Sequence, residues 1–214
     1  MKNIYKNVII GKNARIEEFV KIGCPPRGKK NGELKTVIGK DCHLRSGTVI
    51  YAGNVIGDNF STGHNAVIRE KNAIGDNVSI GTLSCIEHHV KIRDNVRIHS
   101  QVFVPEYSIL EEAAWIGPNA VLTNAFHPQC PRVKECLKGP HIKRGAKIGA
   151  NATILPAVVI GERALIGAGS VVSKNVPRGA VMCGNPAKVM KDISEIKCKY
   201  NRIDNPYGKG KVKK

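Results

Sequence analysis

Aromatic residues make up only 5% of this 214-residue chain, with a single Trp. Its core must therefore be built from Ile, Val, Leu and Ala. No apolar run approaches the ~18 residues that a membrane span needs, so no membrane partner is expected. No signal pattern opens the chain: Met1-Lys2-Asn3-Ile4-Tyr5 leads straight into a strand-like segment. The seven cysteines contain no CxxC pair. An odd, scattered set favours reduced thiols and a cytoplasmic setting over a disulfide framework. Acidic residues are scarce, 17 against 34 Lys and Arg, for a net charge of +17. That excess suits nucleic acid, anionic lipid or a phosphorylated small molecule. The first is disfavoured, since no basic motif interleaved with aromatics and no known nucleic-acid reader is present.

Helical periodicity is also missing, and a period of six stands in its place. Stepping by six from Ile38 to Leu122 meets fifteen residues, all aliphatic except Thr62. A second run, Ile142 to Val172, gives six of six, and a short one opens the chain at Ile10, Ile16 and Ile22. Gly often follows the aliphatic residue, a small or β-branched residue precedes it by two, and Asn recurs three after it. Asn tolerates the left-handed backbone of a tight corner. Each hexad therefore reads as a short strand plus a turn. Two stretches break the phase and are expected to leave as loops, residues 24–36 and 123–141. Gly184-Asn185-Pro186 reads as the end of the coil. Asn185 is placed as an N-cap and Pro186 as the first residue of a short C-terminal α-helix over 184–200. A basic tail, 201–214, is expected to be mobile.

Hexads of this kind resemble those of the left-handed parallel β-helix, in which three make one triangular coil of eighteen residues. The fold class expected is all-β: a left-handed β-helix over 1–183, about eight coils and roughly 38 Å tall at the ~4.8 Å strand spacing. The most specific stretches run from Trp115 to Asn124, from Lys143 to Ile154 and from Ile166 to Pro177, then Gly184-Asn-Pro-Ala-Lys188. Their order is similar to the hexapeptide-repeat acetyltransferase superfamily. Within it they most resemble enzymes that acetylate an amine of nucleotide-linked, UDP-type amino sugars for glycan precursors. The resemblance implies acetyl-CoA as acyl donor, no metal, and a homotrimer with its sites between neighbouring prisms. Two alternatives remain beside it: O-acetylation of a sugar or xenobiotic hydroxyl, and a non-catalytic assembly subunit.

Amide formation needs a proton acceptor near neutral pH, and histidine is the usual one. Residues eighteen apart stack on one edge of a prism, so Glu70, His88, Glu106 and Asn124 form one outward column. His88 would lie about 4.8 Å from each carboxylate, which makes it the first candidate base. The plainer reading is an ion-pair ladder between coils. Cys85-Ile-Glu-His-His-Val90 also resembles the histidine segment of the amino-sugar enzymes, except that His89 stands where they carry Glu. His127, at the root of the second loop, is the rival, as base or as substrate contact. Asn124, His64 and Arg132 are further substrate candidates. Thr62 puts a hydroxyl in an aliphatic register, and local packing explains that at least as well as function. His99 and Gln101 are weaker candidates.

For the cofactor, Gly149-Ala150 and Gly167-Ala168 stack eighteen apart, with room for a pantetheine arm. Lys174, Arg178 and Lys188 follow near the closed end, where the family holds the phosphates of CoA. The plain alternative is that Gly-Ala is what hexad corners use. His127, Cys130, Cys136 and His141 are possible zinc ligands, but their spacing matches no standard site. The charge has an address. Residues 21–35 carry +4, 127–147 carry +5 and 197–214 carry +6, while 36–126 hold 7 basic and 9 acidic residues. Two of the three clusters are the segments that leave the coil, which favours phosphorylated small molecules as partners.

Overall fold

The computed structural model describes residues 3–208. Met1, Lys2 and residues 209–214 of the basic tail lie outside them. The hexads fold as expected, into a left-handed parallel β-helix of triangular section. Its faces are sheets of nine, eight and ten strands among the described residues. We number the faces by their first strands: Asn3–Ile4 on face one, Val8–Ile10 on face two, Arg15–Ile16 on face three. Successive coils stack in strict register, so that Ile68 lies over Ile86 and Val67 over Cys85. All fifteen residues of the long run and all six of the second are buried. Burying each Ile or Leu contributes about 1.5–3 kcal/mol, and the stacked aliphatics form one continuous core.

The corners are left-handed where the sequence puts Asn: φ is 60° at Asn13, 56° at Asn77, 61° at Asn95 and 57° at Asn119. Several glycines answer to coil stacking. A Cβ on Gly117 would stand 2.7 Å from the carbonyl oxygen of Ile148 in the next coil. Buried Thr62 is satisfied locally. Its Oγ1 lies 2.8 Å from Thr48 Oγ1 and accepts from the Arg45 amide at 3.1 Å. That is the packing reading of this residue.

Both external segments leave from the edge where face one turns into face two. The first follows strand Lys21–Cys24 and returns at Thr36–Ile38; the second follows Val121–Leu122 and returns at His141–Ile142. The second is pinched shut where the Lys138 amide donates to the Asn124 carbonyl at 2.9 Å.

The C-terminal segment corrects the sequence reading. No α-helix forms over 184–200. Strand Ala180–Gly184 joins face three beside Leu165–Ile166, and Ala187–Asp192 folds back antiparallel onto it. The parallel partner fixes the first strand as extended, and its free edge then captures the second. Gly184-Asn185-Pro186-Ala187 is the hairpin turn. Val189, expected on a helix face, is 57% exposed. A single 3-10 turn, Ile193–Glu195, follows, capped by the Asp192 side chain. Nor does the described part of the tail stand free. Arg163 Nη2 donates to the Tyr207 carbonyl at 2.8 Å, and Lys147 Nζ lies 5.3 Å from the Tyr207 ring centroid.

Candidate active site

The stacking rule that builds the core also builds the column at the first edge. His88 and Glu106 occupy equivalent corner positions on successive coils, and Asn124 follows on the next. Glu106 Oε1 stands 3.6 Å from His88 Nε2, and Asn124 Nδ2 donates to Glu106 Oε2 at 2.7 Å. His88, Glu106 and Asn124 are all partly buried. Three of the four predicted members of the column therefore meet.

The fourth, Glu70, lies near enough to His88 for their charges to interact, but its hydrogen-bond partner is another residue. It is taken by Arg69, whose Nε donates to Glu70 Oε2 at 3.0 Å. Burial pushes the Glu70 carboxyl up, but the Arg69 guanidinium, a backbone hydrogen bond and the nearby His88 together leave it below the usual carboxylate range. Stacking looks only along the prism axis, whereas the partner that won is the neighbour along the strand. Arg69 also reaches Glu87 at 3.4 Å. Next to them, burial and the Glu87 carboxylate push the Cys85 thiol up to about 11.

Two residues of this cluster were not singled out from the sequence as functional. His89 Nδ1 lies 2.8 Å from His88 Nδ1. Tyr107 stacks on the His89 ring, centroids 5.7 Å apart at 29°, and meets His88 edge-on at 6.1 Å. Tyr107 is eighteen residues after His89, so the spacing that found Glu106 could have found it. Loss of water around the His89 ring, with the neighbouring His88 ring and the positive charge of Lys71, holds its pKa below the ordinary value.

The other predicted residues are dispersed over one prism. His127 sits exposed in the second loop, on the same edge as His88. Arg132, in that loop, pairs with Glu135 at 2.5 Å. His64 is exposed at the corner between faces three and one, a different edge. His99 packs against Trp115 with centroids 4.6 Å apart, and its buried Nε2 has no partner among the described residues.

Gly149-Ala150 and Gly167-Ala168 do stack, along the edge between faces three and one. A Cβ on Gly149 would stand 2.7 Å from the Gly167 carbonyl carbon, so close stacking alone already requires glycine there. The three cations do not converge. Lys174 is at the edge between faces one and two. Arg178 is at the edge between two and three, 3.5 Å from Glu162. Lys188 alone stands near the glycine column, across the hairpin from Cys183.

Among the described residues no group of three or more His, Cys, Asp or Glu converges as a metal site. His141, one of the zinc candidates, instead meets Glu111 Oε1 at 2.6 Å, where Lys143 also donates at 2.9 Å. The same arrangement recurs at Glu17, which meets His43 at 3.1 Å and Arg45 at 3.1 Å. These are ion-pair ladders between coils. A cleft of about 530 Å3 lies beside the Glu111 ladder, lined by Lys91, Arg93, Asp94 and Arg144. Of the candidate residues named from the sequence, His141 lines it. No helix of the described residues is long and apolar enough to cross a membrane.

Residues 139–174 match the family described as bacterial transferase hexapeptide (six repeats). The chain is 44% identical over 64 residues to dTDP-3-amino-3,6-dideoxy-alpha-D-galactopyranose 3-N-acetyltransferase of Aneurinibacillus thermoaerophilus, covering 30% of this chain and 33% of that one. It is 41% identical over 81 residues to 2,3,4,5-tetrahydropyridine-2,6-dicarboxylate N-acetyltransferase of Staphylococcus aureus, covering 38% and 31%. The chain thus spans about a third of the length of these curated relatives. Its fold is similar to that of UDP-N-acetylglucosamine acyltransferase from Campylobacter jejuni, with a TM-score of 0.55 at 17% identity over 89% of this chain and 75% of that one. In its repeat over residues 139–174 and in its fold, the chain is similar to the hexapeptide-repeat transferases.

Proposed function

We propose that this protein transfers an acetyl group from acetyl-CoA to the amine of a nucleotide-linked amino sugar. The observation that carries the reading is the line His88–Glu106–Asn124 at the root of the second loop. A partly buried imidazole beside an anchored carboxylate is a general-base arrangement. The two matched relatives are both named as N-acetyltransferases, and one takes a dTDP-linked 3-amino sugar. That supports an amine nucleophile on a nucleotide sugar; whether the nucleotide is UDP, as the sequence suggests, belongs to the same proposal. The basic external segments on the same edge suit a polyanionic substrate.

In this reading the amine lone pair attacks the thioester carbonyl carbon. The C–N bond forms, the C–S bond breaks, and the imidazole centre at 88–89 collects the amine proton and returns it to the departing thiolate. The backbone amides of Ala150 and Ala168, beside the stacked glycines, steady the developing oxyanion, and Lys188 faces the phosphates of CoA. Residues His127, Arg132 and Asn124 face the sugar nucleotide. His88 and the glycine column lie on different edges of one prism, so a complete site needs an edge from each of two copies. That supports a homotrimer with its sites between subunits. The outward stripe Val49, Val67, Cys85, Phe103 and Val121 along face one gives copies an apolar surface to share.

The test is turnover on a panel of nucleotide-linked amino sugars with acetyl-CoA, for wild type, His88→Ala and His127→Ala. The reading expects CoA release that needs both substrates and falls steeply in His88→Ala. Full activity in His88→Ala removes the column as the base centre.

A further inference from the structure

The hydrogen positions around His88 follow from its neighbours. Asn124 holds one oxygen of Glu106, and the other faces His88 Nε2 at 3.6 Å. A carboxylate repels a lone pair, so His88 Nε2 carries the hydrogen. Neutral His88 then presents its lone pair at Nδ1. His89 Nδ1 lies 2.8 Å from that atom. Two lone pairs cannot face each other at this distance, so His89 Nδ1 carries a hydrogen and donates it. The one imidazole lone pair left over is on Nε2 of His89, the exposed ring of the pair.

We propose that His89 is the catalytic residue that meets the amine, with His88 and Glu106 behind it as a proton relay. The proposal rests on the acetyl-transfer reading above and assigns the base within it. As the C–N bond forms, the amine proton goes to His89 Nε2. The Nδ1 hydrogen of His89 moves to His88 Nδ1, and the imidazolium so formed faces Glu106. When the C–S bond breaks, the same path reversed delivers the proton to the thiolate.

The surroundings favour this assignment. Tyr107 stacks on the His89 ring and fixes its plane. The charges near the ring are Lys71 and Glu70 on the preceding coil, with Arg69 holding Glu70, and Glu106 on the following coil beyond His88. The lowered basicity of His89 keeps it neutral and able to accept at neutral pH. Nor does the backbone demand a histidine. Position 89 is a left-handed corner with φ 57°, and Asn fills the equivalent corners at 59, 77, 95 and 119.

Those equivalents make His89→Asn a variant that keeps the corner. The experiment pairs histidine 15N spectra of the full-length protein with pH profiles of kcat and kcat/KM for wild type, His89→Asn and His88→Gln. The expected spectra show His89 as the Nδ1–H tautomer and His88 as the Nε2–H tautomer. His89→Asn is expected to lose about 100-fold or more in kcat with KM little changed. In His88→Gln the amide oxygen accepts the same Nδ1–H, so the loss is nearer about tenfold. His89 in the Nε2–H tautomer, or His89→Asn at full rate while His88→Gln is inactive, overturns the relay. If wild type acetylates no amine at all, the acetyl-transfer reading falls, and the tautomers alone decide the hydrogen-bond order.

Discussion

Asn124 Nδ2 donates to Glu106 Oε2 at 2.7 Å across eighteen residues of sequence. The bond joins the point where the second loop leaves the coil to the carboxylate that faces His88. Asn124→Ala removes that donor without touching the loop's own backbone closure to Lys138. In the proposed enzyme kcat falls about tenfold, since general-base help is worth ~100-fold or more when intact. Thermal stability changes by less than about 1 kcal/mol. Steady-state kinetics beside a melting curve separates the two.

Ile86 is fully buried and stacks between Ile68 and Val104. Ile86→Ala leaves a cavity beneath the His88 corner and costs about 2–5 kcal/mol. Chemical denaturation measures it. A loss within about 0.5 kcal/mol means that the coils can collapse onto the gap.

Asn95 holds its corner at φ 61°. Asn95→Val puts a β-branched side chain in the left-handed region and is expected to destabilise by about 1–2 kcal/mol. Asn95→Gly keeps the conformation available and stays much nearer wild type. The order of the two variants in denaturant midpoint checks the assignment.

Burial pushes the Glu111 carboxyl up, and hydrogen bonds from Lys143, His141 and the Arg144 amide overcome this and lower its pKa. A carboxylate with a lowered folded pKa adds stability above its unfolded pKa, and that stability is lost as pH falls through the folded value. Glu111→Gln therefore flattens the fall in melting temperature below about pH 4.5. An unchanged acid slope contradicts the ladder's role.

With its thiol held at about 11, Cys85 has little thiolate at neutral pH. Cys136 is exposed on the second loop. Alkylation followed by peptide mass spectrometry is expected to mark Cys136 well before Cys85.

The period of six makes the short strands and their corners legible, and the resemblance to hexapeptide repeats supplies the three-sided, left-handed coil. Once the coil length is known, eighteen-residue spacing places Glu106, Asn124 and Tyr107 around the two histidines. It does not reveal side-chain competition along a strand, which is why Glu70 went to Arg69. The C-terminal hairpin was hidden for a related reason. Asn185-Pro186 begins helices and also turns hairpins, and what decides is the open edge of face three, a partner distant in sequence. The tail's contact with Arg163 and Lys147 has no periodic signal. Nor does spacing show which cations gather: Lys174, Arg178 and Lys188 lie close in the chain and on different sides of the prism.

The central claim concerns which atom receives the acetyl group. The most direct measurement is the product of wild-type protein with acetyl-CoA and a nucleotide-linked amino sugar, identified by NMR beside the analogue bearing a hydroxyl in place of the amine. The account predicts an N-acetyl product with one CoA released per acetyl, and little or no reaction of the hydroxyl analogue. An O-acetyl product, or CoA release that ignores the amine, contradicts it.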